Sequence, residues 1–127
     1  MGRLSRAQRI RKRPDFIRIQ EGGIRVTSRH FLLLLAPSSD RNLPPRLGVV
    51  ASRKVGGAVE RNRSKRLVRE VFRQSGAVFP AGIDVVVIVR PGAHLLSCAQ
   101  MEAELQGVAP FIRRRAQEVL RRAHPSS

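Results

Sequence analysis

The sequence predicts an α+β domain: a small mixed sheet of three or four strands with helices packed on it, in the order helix, two or three strands, helix, strand, helix. Three observations carry this. Aliphatic runs bounded by turn residues occur at Arg29 to Ala36, Arg46 to Ser52 and Ile83 to Val89. Between the second and third, from Ala58 to Gln74, the apolar residues take up helical spacing. A capping-box pattern, Ser97-Cys98-Ala99-Gln100, then opens a last helix.

Taken in order, residues 1–13 are expected to form a basic, mobile arm. Pro14 suits the first turn of a short helix over Asp15 to Glu21, which Gly22 and Gly23 stop. Phe16 and Ile19 share one face of it. Ile24 to Thr27 is a weaker strand, and the turn residues Pro37 to Asp40 and Pro44-Pro45 separate the next two. On the helix that follows, Val59, Leu67, Val68, Val71 and Phe72 are assigned to one arc, and Asn62, Lys65, Arg66, Arg69 and Arg73 to the other. Arg61 falls near the edge of the apolar arc. Gly76 and Pro80 act as breakers. In the last helix Pro110 predicts a kink or a break, after which Phe111, Ile112, Ala116, Val119 and Leu120 resume the periodicity among arginines. One domain over 14–122 and a disordered tail over 123–127 complete the division. The last two strands are expected to be parallel, with a crossover that the general chirality rule makes right-handed in about 98% of cases.

A chain of 127 residues that is 42% hydrophobic fills one domain. Its net charge of +16 costs compactness by self-repulsion unless a polyanion neutralises it. Only Lys12, Lys54 and Lys65 are lysines, so arginine, whose planar fork grips phosphate, supplies the remaining basic residues. Cys98 is the single cysteine, which excludes an intrachain disulfide and suits a reducing cytoplasm. No apolar stretch of about 20 residues is present to cross a membrane, so a soluble protein is expected.

The charge is concentrated in Arg53, Lys54, Arg61, Arg63, Lys65, Arg66, Arg69 and Arg73, opposed within that block only by Glu60 and Glu70. A solvated helix face would mix its signs, whereas here like charges at i,i+4 repel and ask for an external anion. Gly56-Gly57 allows close backbone approach, and the amides at the helix start are candidate phosphate donors. Among nucleic acids RNA is favoured: no helix-turn-helix, zinc-ligand set or zipper is present. Phe16 and Phe31 are candidate flanks of a stacking surface. Core positions are the plainer expectation for Phe31, Phe72, Phe79 and Phe111, and Phe16 is the more open one. The nine acids are scattered, Glu102 and Glu104 lie on different faces of a helix, and His30, His94 and His124 are far apart in the chain, so no catalytic residue is assigned. His94 and Cys98 lack further ligands, and no metal or cofactor is assigned to the protein.

The run S-R-K-V-G-G-A-V-E-R-N-R-S-K-R-L-V-R-E-V-F-R, Ser52 to Arg73, closely resembles the signature of the bacterial ribonuclease P protein subunit, whose RNR element is matched by Arg61-Asn62-Arg63. The flanks agree: P-D-F at Pro14 to Phe16, S-R-H-F at Ser28 to Phe31, R-L-G-V-V at Arg46 to Val50 and D-V-V-V-I-V-R at Asp84 to Arg90. The likeness spans roughly Leu4 to Leu120. It implies a subunit that assists a catalytic RNA in endonucleolytic removal of the 5′ leader from precursor tRNA, with the chemistry and its Mg2+ ions held mainly by the RNA and no protein partner required. By position it implicates Arg61, Asn62, Arg63, Lys65, Arg66, Arg69 and Lys54 in contact with the catalytic RNA, and Phe16, Leu34, Arg53 and Arg90 in contact with the leader. It also implies a fold like the second domain of ribosomal protein S5, with a left-handed crossover against the general rule. The chain departs from the family at Leu34 and Gln20, where many members carry aromatics, at Gly57, often Asn, and at Pro110. The competing readings are a structural RNA-binding protein of the ribosomal type and a non-specific cationic protein.

Overall fold

In the structure, a computed structural model in which residues 8–75 and 78–123 are described, helix α1 (Arg13–Gly22) leads into strands β1 (Ile24–Thr27), β2 (Phe31–Pro37) and β3 (Arg46–Ala51). Helix α2 (Ala58–Gln74), strand β4 (Ile83–Val89), a 3₁₀ turn at Ala93–Leu95 and helix α3 (Cys98–Ala123) follow. The expected breaker at Gly76, arm residues 1–7 and tail residues 124–127 lie outside the described residues. The strands form one sheet in the order β1-β2-β4-β3. β2 is antiparallel to both its neighbours, and β3 is parallel to β4, so the sheet is mixed as expected. Parallel neighbours need a long connection, and α2 supplies it.

β4 sits between β2 and β3, and all its residues but Ile88 are buried. A run of β-branched residues suits a strand covered on both faces. Period-two alternation divides those residues between two cores. Val85, Val87 and Val89 join Phe31, Leu33 and Leu35 beneath α2 and α3, which contribute Val68, Val71, Phe72, Met101, Leu105 and Ile112. The rings of Phe72 and Phe79 stack there at 5.1 Å. On the opposite face Val86, Leu34 and Ala36 pack with Ile19 of α1 and with Ile10.

α1 is held to the sheet by charge as well as by Ile19. Asp84 of β4 is fully buried and accepts hydrogen bonds from Arg46 Nε (2.9 Å) and Nη2 (2.7 Å) on the adjacent β3. Arg18 Nη2 of α1 donates to the same carboxylate at 3.0 Å. That carboxylate therefore ties three elements together.

In its secondary structure and core the structure departs from the sequence reading in five places. Arg9 and Ile10 of the expected mobile arm lie on the sheet: Arg9 bridges to Leu47 of β3, Ile10 N–H donates to the Leu47 carbonyl at 2.9 Å, and Ile10 is only 4% exposed. An apolar side chain at that position gains more from burial than the arm loses in entropy. Strand β2 begins at Phe31, not Arg29, because the Ser28 N–H bonds to the Phe31 carbonyl and closes a turn. Val59 is 76% exposed: nine residues before Val68, it points to the opposite side of α2. Phe111 is 54% exposed and not core. Pro110 breaks nothing, since α3 is continuous from Cys98 to Ala123. Pro110 and Gln106, whose carbonyl loses its helical partner, are both exposed, so water can satisfy that carbonyl. The start of α3 is as expected: Ser97 N–H donates to Gln100 Oε1 (2.8 Å) and Gln100 N–H to Ser97 Oγ (3.1 Å).

Candidate nucleic-acid interface

α2 buries Ser64, Val68, Val71 and Phe72 and turns its remaining arc outward. Asn62, Arg63, Arg66 and Arg69 are exposed there, while Arg61 and Lys65 flank it half-buried. The acids of the helix are already engaged. Glu60 Oε1 accepts from the Gly57 N–H at 3.0 Å, and Glu70 pairs with Arg73 and with Gln74. Arg61, Lys65, Arg66 and Arg69 have no acidic partner among the described residues. Arg73 thus leaves the free basic block that the sequence suggested. The candidate phosphate site at the Gly56-Gly57 amides is also closed, because the Glu60 carboxylate occupies the Gly57 N–H and would repel a phosphate. On this face the guanidinium and ammonium groups are what remain to meet an anion. Arg63 is pre-aimed: its Nε donates to the His94 carbonyl at 2.8 Å. Lys54 lies exposed in the turn before α2.

At the edge of this face Arg69 and Arg9 approach each other beside Phe16, Leu47 and Gly48. Partial burial, and then the charge of Arg9, lower the pKa of Arg69. The Arg9 Nε is buried with no hydrogen-bond partner. Two guanidinium groups held together without an acid make a place where an anion is favoured.

The α1 face of the sheet is covered only in part. Leu32, Ile88 and Val50 line up across β2, β4 and β3 and are half-buried, leaving an aliphatic strip. Phe16 borders it: a Cβ added to Gly48 would lie 2.6 Å from Phe16 Cε1 and 2.8 Å from Cζ, so the ring rests directly on the glycine backbone. Arg53 and Arg90 follow the C-terminal ends of the paired strands β3 and β4, about 10 to 15 Å along the strands from Gly48. Arg90 Nη1 donates to the Ser28 carbonyl at 3.1 Å. Arg53 and Arg90 therefore share the C-terminal end of the paired strands, while Phe16 sits further back against the middle of β3. Leu34 does not join them. At 2% exposure beneath α1 it is floor, packed with Ile19, and a leader cannot touch it. Phe31 is excluded as a stacking flank, being buried on the other face. Two residues of this region were not singled out from the sequence, Arg9 and Gly48. An isolated glycine inside a strand signals close approach, and that signal was there to be used for Gly48.

The acids of α3 serve structure. Glu104 accepts from Ser28 Oγ–H (2.6 Å) and the His30 N–H (2.8 Å), and its Oε1 lies 2.6 Å from His30 Nδ1. Glu102 turns to Ser75 Oγ at 3.2 Å, so the two glutamates face different partners. Burial pushes the Glu104 carboxyl up, but the bonds from Ser28 and His30 and the His30 charge outweigh it and hold its pKa below the ordinary carboxylate range. A depressed folded pKa gives stability that is present above the unfolded value and is lost as pH falls through the folded one. Glu104→Gln is accordingly expected to lose about 2 kcal/mol at about pH 7, with the gap to wild type closing as the pH falls below the ordinary carboxylate range in chemical denaturation. Among the described residues no group of three His, Cys, Asp or Glu side chains is placed to hold a metal, and no helix is long and apolar enough to cross a membrane.

A mixed sheet with an uncompensated arginine face on one side and a bordered aliphatic strip on the other defines an RNA-binding protein. The comparisons with known proteins make this specific. The family model described as Ribonuclease P matches residues 4–110. The ribonuclease P protein component of Desulfatibacillum aliphaticivorans is 41% identical over 101 residues, 80% of each chain. That of Desulfovibrio desulfuricans is 39% identical over 118 residues, covering 91% of this chain and 88% of the relative. The ribonuclease P protein structure from Staphylococcus aureus superposes with a TM-score of 0.71 at 34% identity, over 82% of this chain and 94% of that one. The Thermotoga maritima protein gives 0.70 at 33%, over 81% and 96%. The chain belongs to the ribonuclease P protein family.

Proposed function

We propose that the two surfaces divide the work between two RNAs, with the outer arc of α2 holding the catalytic RNA and the strip beside Phe16 holding the 5′ leader of precursor tRNA. As a family member the chain is the protein subunit of ribonuclease P, a ribonucleoprotein endoribonuclease of tRNA processing in which catalysis belongs to the RNA. The observation that carries the division is that α2, with Arg61, Asn62, Arg63, Lys65 and Arg66 on it, packs on one face of the sheet while Phe16 packs on the other, with Arg69 at the edge where the two faces meet beside Phe16. Lys54, in the turn between Arg53 and α2, extends the first set. The Phe16 ring offers a face on which a base can stack, and Arg53 and Arg90 offer charge to the phosphates beyond it. Leader binding raises affinity for precursor over mature tRNA. The guanidinium groups also lower phosphate repulsion, which eases the binding of Mg2+ ions held by the RNA. The compartment proposed is the cytoplasm, and the proposed domain runs from residue 8, with the docked arm as part of it.

The test is binding and cleavage with the catalytic RNA at low Mg2+, comparing precursor with mature tRNA. Arg61→Ala is expected to weaken assembly with the catalytic RNA, about 10-fold for one charged phosphate contact. Phe16→Ala is expected to weaken precursor binding about 5- to 100-fold and to leave mature tRNA unchanged. Identical failure of both variants would sink the two-surface reading, and absence of any stimulation by wild type would turn the assignment toward a structural RNA-binding protein.

A further inference from the structure

The family match ends at residue 110, whereas α3 continues to Ala123. These last turns of the helix are firmly seated. Ile112 and Ala116 are fully buried, Val119 is buried beside them in the main core, and Leu120 reaches the backbone at Gly82. The outer side of the same segment carries Arg113, Arg114, Arg115, Arg121 and Arg122, all exposed. Glu118 is its single acid, and it is shared by Arg115 (3.1 Å) and Arg122 (2.7 Å). Arg113, Arg114 and Arg121 are left without a carboxylate among the described residues. Arg114 lies instead over the exposed Phe111 ring, 5.8 Å from its centroid. Arg114 and Arg121 are two turns apart on one side of the helix, about 10 Å, with Arg113 next to them.

Like charges on a rigid support repel one another, and a polyanion relieves the repulsion by releasing its own counterions. A lipid surface is a poor fit, since the aliphatic side chains here face the sheet and Phe111 alone offers apolar area outward. We infer that the outer face of the C-terminal half of α3 is a third RNA-binding surface, in which Arg113, Arg114 and Arg121 grip backbone phosphates of the catalytic RNA. Gly82, which Leu120 touches, precedes β4, and Arg90 follows it, so the Arg121 end of this surface lies about 25 Å along the strand from Arg90. The inference rests on the catalytic RNA being the partner.

The experiment uses the full chain with Arg113→Gln, Arg114→Gln and Arg121→Gln combined. Its binding to the catalytic RNA subunit of ribonuclease P, without tRNA, is followed from about 50 to 200 mM salt. The expected result is a log–log salt slope shallower by about 2 to 3 and a loss of roughly 10- to 100-fold in affinity at low salt, with the preference for precursor over mature tRNA retained. The matching triple Arg→Lys variant keeps the charge and is expected to restore the slope. An unchanged slope in the Gln variant, or loss in the Lys variant as well, overturns the α3 surface. Failure of wild type to bind the catalytic RNA would instead overturn the functional reading beneath it.

Discussion

Asp84→Ala is expected to cost about 3 kcal/mol of stability and to lower the melting temperature by roughly 10 °C. Removing the carboxylate leaves Arg46 and Arg18, at the junction of β3, β4 and α1, with only the more distant Asp15 as an acidic partner, at 4.0 and 3.7 Å. The penalty belongs at the lower end of the range for broken buried pairs, because both arginine side chains keep some solvent contact while Asp84 has none. Thermal unfolding followed by circular dichroism measures it, and a loss below about 1 kcal/mol would show that the two arginines find water instead. The loosened α1 should also carry Phe16 off the sheet, so leader binding should fall with stability.

Gly48→Ala separates those two effects. The added Cβ would lie 2.6 Å from Phe16 Cε1 and 3.2 Å from Ile10 Cβ, so the ring and the arm must shift, while the buried ion cluster at Asp84 is untouched. Precursor tRNA affinity is expected to fall about 5- to 100-fold, the worth of a stacked base, with catalytic-RNA binding close to wild type. Fluorescence titration with precursor and mature tRNA decides it: equal loss for both substrates would detach Phe16 from leader recognition.

How much of this was legible in the sequence depended on whether the signal was local. β1, α2 and β4 fall where turn residues and periodicity placed them, since the breakers around them act within a few residues. The RNR segment was legible as chemistry because uncompensated charge needs no tertiary information. Glu60 and Glu70 were visible as the acids of that block, but only the fold shows that one caps Gly57 and the other takes Arg73. Leu34 illustrates what was not legible. Its position suggested the leader cleft, and the packing of α1 through Ile19 decides that it is covered. Val59 and Phe111 differ for the opposite reason: apolar identity does not by itself fix burial, since a folded surface always retains apolar side chains. Ile10 was hidden among arginines, where composition outweighed the single residue that anchors the arm.

That anchored arm has a consequence for how copies of the chain meet one another. β3 ends the sheet, and a bare terminal strand offers its unpaired backbone to any passing chain. Here the bridge from Arg9 to Leu47 and the bond from Ile10 cap part of that rim with the chain's own backbone, and Arg9 and Arg11 surround it with positive charge. The segment that borders the proposed leader strip therefore also discourages strand-to-strand aggregation, at the one margin of the sheet where a parallel strand would otherwise stand open.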